Sequence, residues 1–241
     1  MDGNVLKLAA LAMLLAGATA APAANLVLMG DSTLAPRTDK VRSGSWGDAL
    51  RPALAEGNGV LNFAIGGRTV RTFGPAWEKN IGKVAAGDFV IIQFGINDAA
   101  PQKLVAEDEF KKTLAEWADA VLAKNATPIL CSPVANAGWT KGARADAKFK
   151  LMPSRRKYGD FAKAVAESKG LAFVDMTALT ADALAKAGKD AAHALFVGDT
   201  IRDGKPTFDT THPSKSGAKR FAELFVADVK ARRLPVAKLF K

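Results

Sequence analysis

Three residues of this 241-residue chain have the types and context needed for nucleophilic catalysis: Ser32, His212 and Asp209. Ser32 follows Gly30 and Asp31 directly after a short apolar run, where a serine is presented on a strand-to-helix turn. A serine hydroxyl needs a base to take its proton, and His212 is the candidate base. Asp209 stands three residues before His212 and can hold the imidazole in one tautomer. We expect Asp209 and His212 to share one loop before the last helix.

The remaining histidine and the cysteine content limit the disulfides and metal sites that the chain can form. The second histidine, His193, lies in an alanine-rich stretch and is interpreted as a surface or packing residue. The single cysteine, Cys131, cannot form an intrachain disulfide or a cysteine-cluster zinc site. Two histidines leave little material for a metal cage, so the sequence predicts no metal and no cofactor.

Acyl transfer also needs hydrogen-bond donors for the negative oxygen that develops on the attacked carbonyl. The backbone N–H groups of Ser32 and Gly67 and the side-chain amide of Asn97 are candidates for this oxyanion hole. Each of these residues follows directly or closely after an apolar run. The sequence therefore supplies a nucleophile, a base, an orienting carboxylate and three oxyanion donors.

Short apolar runs bounded by Gly, Asp, Asn or Pro predict five buried parallel strands, and helical apolar stripes separate them. Strands alternating with helices predict an α/β fold with one parallel sheet covered on both faces. Ligands of such sheets bind beyond the carboxyl ends of the strands, where three polar, glycine-containing segments are expected to converge. The strands are expected at 25–29, 60–64, 89–94, 127–132 and 171–175. Helices are expected at 46–55, 110–122, 156–169, 176–187 and 221–229.

Four sequence blocks carry a family resemblance. They are Gly30-Asp31-Ser32-Thr33, Asn62-x-Ala64-x-x-Gly67-Arg68-Thr69, Gly95-x-Asn97-Asp98 and Asp209-x-x-His212. Together they resemble the signature of the SGNH (GDSL-type) hydrolases, and Trp46-Gly47 and 92–95 add a likeness to the rhamnogalacturonan acetylesterase branch. The resemblance covers about residues 26 to 226.

The resemblance implies a flavodoxin-like three-layer α/β/α sandwich with a five-stranded parallel sheet. It also implies Ser32 as the nucleophile, His212 as the base and Asp209 as its orienter, with the oxyanion hole at Ser32, Gly67 and Asn97. Two residues depart from the wider pattern. Thr33 replaces the usual Leu, which is common in this branch, and Ile96 stands where relatives often carry His.

The net charge of +10 comes from 34 basic and 24 acidic residues. The excess lies in residues 141–169 and 215–241. A basic surface attracts polyanions in general, and the family likeness favours an acetylated acidic polysaccharide such as rhamnogalacturonan. Arg68 beside Gly67 and Trp139 beside several cations are candidate substrate contacts. No nucleic-acid recognition motif accompanies the charge, so nucleic acid is not expected as a partner.

The first residues resemble a secretory signal. Lys7 precedes an apolar run that is too short to span a bilayer, and small residues follow it. We expect cleavage after Ala20 or Ala23, so residues 1–23 are predicted to be a signal peptide and 24–241 a single hydrolase domain. The mature protein is then secreted or periplasmic, with no membrane span.

The composition, with 49% apolar and 24% charged residues, is that of a globular chain and excludes a disordered one. Three functions stay open at this point. The first is a carbohydrate acetylesterase, the second is a lipase or acyl-thioesterase with the same triad, and the third is a non-catalytic polysaccharide-binding module. Neither the sugar nor the oligomeric state follows from the sequence.

Overall fold

A computed structural model of the protein describes residues 23–38, 42–136, 153–202 and 204–241. Its centre is a five-stranded parallel sheet in the order β2-β1-β3-β4-β5. The strands are β1 (Asn25–Gly30), β2 (Gly59–Asn62), β3 (Phe89–Gln93), β4 (Thr127–Cys131) and β5 (Ala172–Val174). The five predicted strands are confirmed, with ends that differ by at most two residues.

Helices cover both faces of this sheet, which confirms the predicted three-layer α/β/α fold. They are α1 (Val70–Ile81), α2 (Glu107–Leu122), α3 (Pro153–Ser168), α4 (Met176–Ala187), α5 (Lys189–Ala194) and α6 (Lys215–Ala231). Helices α1, α2 and α3 pack on one face, and α4 and α6 pack on the other with the 3₁₀ helices Asp48–Ala53 and Pro235–Leu239.

The central strand β1 shows why its sequence is a continuous apolar run. Successive side chains of a strand point to opposite faces. Leu26 and Leu28 therefore pack in the core on the α6 side, whereas Val27 and Met29 pack in the core on the α1 side. All four side chains are fully buried. A strand with helices on both sides has no solvent-facing side and needs no polar alternation.

Two helices between β1 and β3 differ from the prediction. The helix expected at 46–55 is a short 3₁₀ helix, Asp48–Ala53, which contains Pro52. Helix α1 was not predicted; its interior contains Gly74 and Pro75, which weaken the helical pattern. A capping box between Thr69 and Thr72 starts this helix.

The prediction of a loop around Asp209 and His212 is wrong. Both residues lie in β7 (Lys205–Pro213), which pairs antiparallel with β6 (Phe196–Arg202) as a separate two-stranded ribbon. The ribbon is docked on the sheet domain by a hydrogen bond from the Gly44 N–H to the Pro213 carbonyl at 2.8 Å. This contact carries the end of β7 to the segment that follows β1.

Among the described residues, no helix is long and apolar enough to cross a membrane.

Candidate active site

Ser32, His212 and Asp209 form one continuous hydrogen-bonded chain. His212 Nε2 lies 2.9 Å from Ser32 Oγ, and His212 Nδ1 lies 2.7 Å from Asp209 Oδ2. The Asp209 carboxylate can only accept, so Nδ1 carries the proton and Nε2 is left to accept from the serine hydroxyl. This is the tautomer in which the imidazole can act as a base toward Ser32.

An irregularity in the ribbon brings Asp209 and His212 to the same side. Residues three apart in a regular strand point to opposite faces. Between the pairs Phe196↔Pro213 and Gly198↔Asp209, however, β7 advances four residues while β6 advances two. The two extra residues form a bulge that turns the strand. Within it, Asp209 Oδ1 accepts from the backbone N–H groups of Thr211 and His212, both at 2.9 Å.

These bonds set the charge of Asp209. Burial raises the pKa of a carboxyl group, but the hydrogen bonds from the His212 side chain and backbone and from Thr211 outweigh it. The pKa of Asp209 is thereby lowered to about 2. The carboxylate is therefore ionised at neutral pH and can stabilise a positive charge on His212.

Ser32 is held by the turn that ends β1. A Cβ on Gly30 would lie 2.7 Å from the Gln93 carbonyl oxygen, so this position needs glycine for close approach to β3. Asp31, Thr33 and Gln93 are fully buried side chains that bond to one another at 3.0–3.3 Å. This network gives the Thr33 hydroxyl its partners. It accounts for a polar residue where the wider family has Leu.

The segment after β2 brings Gly66 and Gly67 to the nucleophile. A Cβ on Gly66 would lie 3.6 Å from the Ser32 Cβ, and both glycines line the cleft that contains Ser32. Gly67 has a φ of 76°, in the left-handed region that favours glycine. Among the described residues, no backbone acceptor takes the N–H of Ser32 or Gly67. Both donors are thus free for a ligand oxygen.

Asn97 lies in the loop after β3 and contacts the segment that contains Gly66 and Gly67. Its side-chain amide donates to the Arg68 carbonyl at 3.0 Å, which leaves its second N–H for another acceptor. The structure thus places Asn97 beside the Gly67 segment but not among the residues that line the cleft around Ser32. Arg68 is exposed at the edge of the same segment.

Asp98, next to Asn97, ties the two donor segments together. Its two carboxyl oxygens accept from the N–H of Val70 at 2.8 Å and of Gly95 at 2.9 Å. Burial raises the pKa of Asp98 to about 7. Asp98 stands in the third sequence block with no predicted role, and only the tertiary contacts reveal this link.

The cleft encloses about 410 Å³, and most of its lining side chains are polar. Two of them, Arg37 and Arg42, were not predicted to be site residues. Their only sequence signal is their position, five and ten residues after Ser32 in the segment that follows the first strand. The lining residues are Ser32, Arg37, Arg42, Ser43, Gly66, Gly67, Val197, Thr200, Asp209 and His212.

The other candidate residues lie elsewhere. Trp139 and the part of the basic segment before residue 153 fall outside the described residues, as do residues 1–22. His193 lies in α5 and Cys131 is buried at the end of β4, where burial raises the pKa of its thiol. Within the described ranges, no group of three or more His, Cys, Asp or Glu side chains is arranged to hold a metal ion.

The chain is similar to several known proteins. A model of the GDSL-like Lipase/Acylhydrolase family matches residues 28–220. The Bacillus subtilis protein named Probable rhamnogalacturonan acetylesterase YesY is 27% identical over 218 residues, covering 88% of this chain and 95% of that protein. Rhamnogalacturonan acetylesterase RhgT of the same organism is 28% identical over 220 residues, covering 87% of this chain and 90% of that protein.

Solved structures share the fold. The Bacillus subtilis protein YxiM superimposes with a TM-score of 0.71 at 24% identity; the match covers 89% of this chain and 58% of that one. An acetylxylan esterase from Geobacillus stearothermophilus superimposes with a TM-score of 0.61 at 25% identity, and the match covers 86% of this chain and 94% of that one.

Proposed function

Since the chain belongs to the GDSL-like lipase/acylhydrolase family and is a carboxylic ester hydrolase, we propose that it removes acetyl groups from an acidic plant-type polysaccharide such as rhamnogalacturonan. The observation that carries this proposal is the hydrogen-bonded chain from Ser32 through His212 to Asp209, which opens into a polar cleft. The relatives named rhamnogalacturonan acetylesterases support the substrate class.

In the proposed mechanism, Ser32 Oγ attacks the acetyl carbonyl while His212 Nε2 takes the hydroxyl proton. Asp209 stabilises the imidazolium that forms. The N–H groups of Ser32 and Gly67 and the Asn97 amide bind the oxyanion of the tetrahedral intermediate. His212 then returns the proton to the leaving sugar oxygen, and an acetyl ester remains on Ser32. Water attacks this ester with His212 again as the base, which releases acetate and restores the serine.

The lining of the cleft favours a sugar ester over a lipid. A long acyl chain needs an apolar channel, because each methylene group placed in a polar cleft forgoes about 0.8 kcal/mol of transfer free energy. Val197 is the single large apolar side chain among the described residues that line this cleft. Arginine, serine and threonine side chains there suit hydroxyl and carboxylate groups instead. The lipase or acyl-thioesterase alternative therefore has less support.

A non-catalytic binding module has less support too. Binding alone gives no reason to hold His212 in the tautomer that accepts from Ser32. Nor does it require a left-handed glycine beside that serine. The positive net charge suits an acidic polymer under either reading.

We also propose that residues 1–23 are a signal peptide and that the mature enzyme acts outside the cytoplasm. Strand β1 begins at Asn25, so cleavage after Ala20 or Ala23 leaves the whole sheet intact. Sequencing the N-terminus of the exported protein tests this, since an intact Met1 in the exported fraction contradicts it.

The decisive experiment measures acetate release from acetylated pectic polysaccharide beside hydrolysis of a nitrophenyl acetate. Wild type is expected to cleave both, and Ser32→Ala neither. If only the small ester is cleaved, the result contradicts the pectic substrate but supports the serine mechanism. Nitrophenyl ester rates that rise steadily with acyl length would favour the lipase reading.

A further inference from the structure

Two arginines from the segment after β1 share the cleft with the nucleophile. Arg37 and Arg42 both line it, on the same stretch of chain that presents Ser32. Residues 215–241, the second basic region of the sequence, contribute no side chain to this lining.

Arg37 is held in place without being neutralised. Its Nη2 donates to the Ser32 carbonyl at 2.6 Å, so the guanidinium is anchored on the backbone of the nucleophile itself. Its Nε is buried and has no acceptor among the described residues. Burial lowers the pKa of Arg37, and the charges of Asp209 and Asp31 oppose that shift. A fixed, charged and incompletely bonded guanidinium attracts an anion with planar geometry.

Arg42 reaches the cleft from the solvent side. Its Nη1 donates to the Asp199 backbone carbonyl at 2.7 Å, which orients the side chain against β6. Among the described residues, neither Arg37 nor Arg42 makes an ion pair with a carboxylate. Among the described residues that line the cleft, Asp209 is the only acidic side chain, and its charge acts on Arg37 together with that of Asp31. The described lining therefore carries two guanidinium groups against one carboxylate.

We propose that Arg37 and Arg42 form a subsite for a carboxylate of the substrate, namely that of a uronic acid residue close to the scissile acetyl ester. This inference rests on the proposed acetylesterase function and adds the group that selects the polymer. A guanidinium presents paired N–H donors that match the two oxygens of a carboxylate. Arg37 is the anchored member and Arg42 the exposed one.

The test compares two substrates that differ only at the carboxyl group. One is an acetylated uronic acid oligosaccharide, and the other is the same oligosaccharide with its carboxyl groups converted to amides. Wild type is expected to show a kcat/KM for acetate release about tenfold or more higher on the carboxylate form. Arg42→Gln should remove most of this preference, and Arg42→Lys should keep part of it.

A matched control separates a subsite from net charge. Lys124→Gln removes one exposed positive charge just before the amino end of β4, away from the carboxyl strand ends that present Ser32, and should leave the substrate ratio unchanged. A wild-type ratio near one overturns the subsite, whatever the variants do. So does an equal fall of both rates in Arg42→Gln, or an equal loss of preference in Lys124→Gln.

A different result is expected if the proposed acetylesterase function is itself wrong. In that case wild type releases no acetate from either oligosaccharide, and the subsite is overturned with it. Hydrolysis of nitrophenyl acetate by wild type, absent in Ser32→Ala, then shows that the serine chemistry survives without the carbohydrate substrate.

Discussion

His212 Nε2 lies within 2.9 Å of Ser32 Oγ, although 180 residues separate them in the chain. The contact joins the central sheet, which carries Ser32 at the end of β1, to a ribbon that carries His212 on β7. The ribbon is held there by the hydrogen bond from Gly44 to Pro213 and by the Arg155 guanidinium, 3.3 Å from Thr211 Oγ1. The proposed activity thus depends on how firmly the ribbon is docked.

Removing the nucleophile tests the proposed chemistry first. Ser32→Ala should lower kcat on nitrophenyl acetate on the order of 10⁵-fold or more, because a serine and its base act as one unit. The thermal unfolding midpoint should change little, since only one hydroxyl is lost. Ser168→Ala, at the far end of α3, serves as the matched serine control. A Ser32→Ala enzyme that keeps most of its rate contradicts the assignment.

The two partners of Ser32 should differ in their effects. His212→Ala removes the base and should lower kcat about as much as Ser32→Ala. Asp209→Asn should cost about 10⁴-fold, because an amide nitrogen facing Nδ1 imposes the wrong tautomer. The double variant Ser32→Ala with His212→Ala should be no slower than either single variant. Additive losses measured by steady-state kinetics would show that the residues do not act together.

Asn97→Ala tests the side-chain donor of the oxyanion hole. Its loss should lower kcat about 10²- to 10³-fold with little change in KM, because the donor acts on the oxyanion and not on the ground-state carbonyl. Asn97 also holds the Arg68 carbonyl, so circular dichroism should accompany the kinetics. A change in KM at constant kcat is the result that would falsify this role.

Because the pKa of Asp98 is raised, we expect the free energy of unfolding to depend on pH. Its pKa is about 7 in the native protein, against 3.8 for an unperturbed carboxyl, because burial disfavours the ionised form. At a pH between these two pKa values, Asp98 is protonated in the native protein but ionised in the unfolded chain. The stability contributed by this group is therefore complete below about pH 4 and is lost as the pH rises through 7.

The variant Asp98→Asn removes this proton linkage. The stability advantage of wild type over Asp98→Asn should shrink between pH 4 and pH 8 by on the order of 4 kcal/mol. Urea unfolding at several pH values measures it. An advantage that stays constant, or grows with pH, contradicts the raised pKa.

Gly217 in α6 should resist replacement by the best helix former. A Cβ at Gly217 would lie 1.9 Å from the Leu195 carbonyl oxygen, which precedes β6. Gly217→Ala should therefore destabilise the protein by about 3 kcal/mol or more and displace the ribbon that carries His212. Gly74→Ala in α1 is the matched control, since a Cβ there meets no atom within 4 Å and should stabilise the helix by up to about 1 kcal/mol. Chemical denaturation of both variants gives the comparison.

The elements that hold the site were predictable where local signals agreed. The five strands are short apolar runs with turn residues at their ends, and burial on both faces requires that pattern. Helix α1 was missed because Gly74 and Pro75 weaken its pattern, while packing of Phe73 and Trp77 in the core outweighs that local preference. The ribbon was missed although the sequence contains an Asp203-Gly204 pair, which is a hairpin signal.

The sequence by itself determined the α/β sheet, the segments that end its strands and the candidate roles of Ser32, His212 and Asp209. Those follow from residue type and from patterns within a few positions along the chain. Only the tertiary structure decided that β7 bulges between Asp209 and His212, that Asp98 joins two loops, and that Arg37 and Arg42 enter the cleft. These contacts depend on the docking of segments far apart in the chain, and no local propensity encodes such docking.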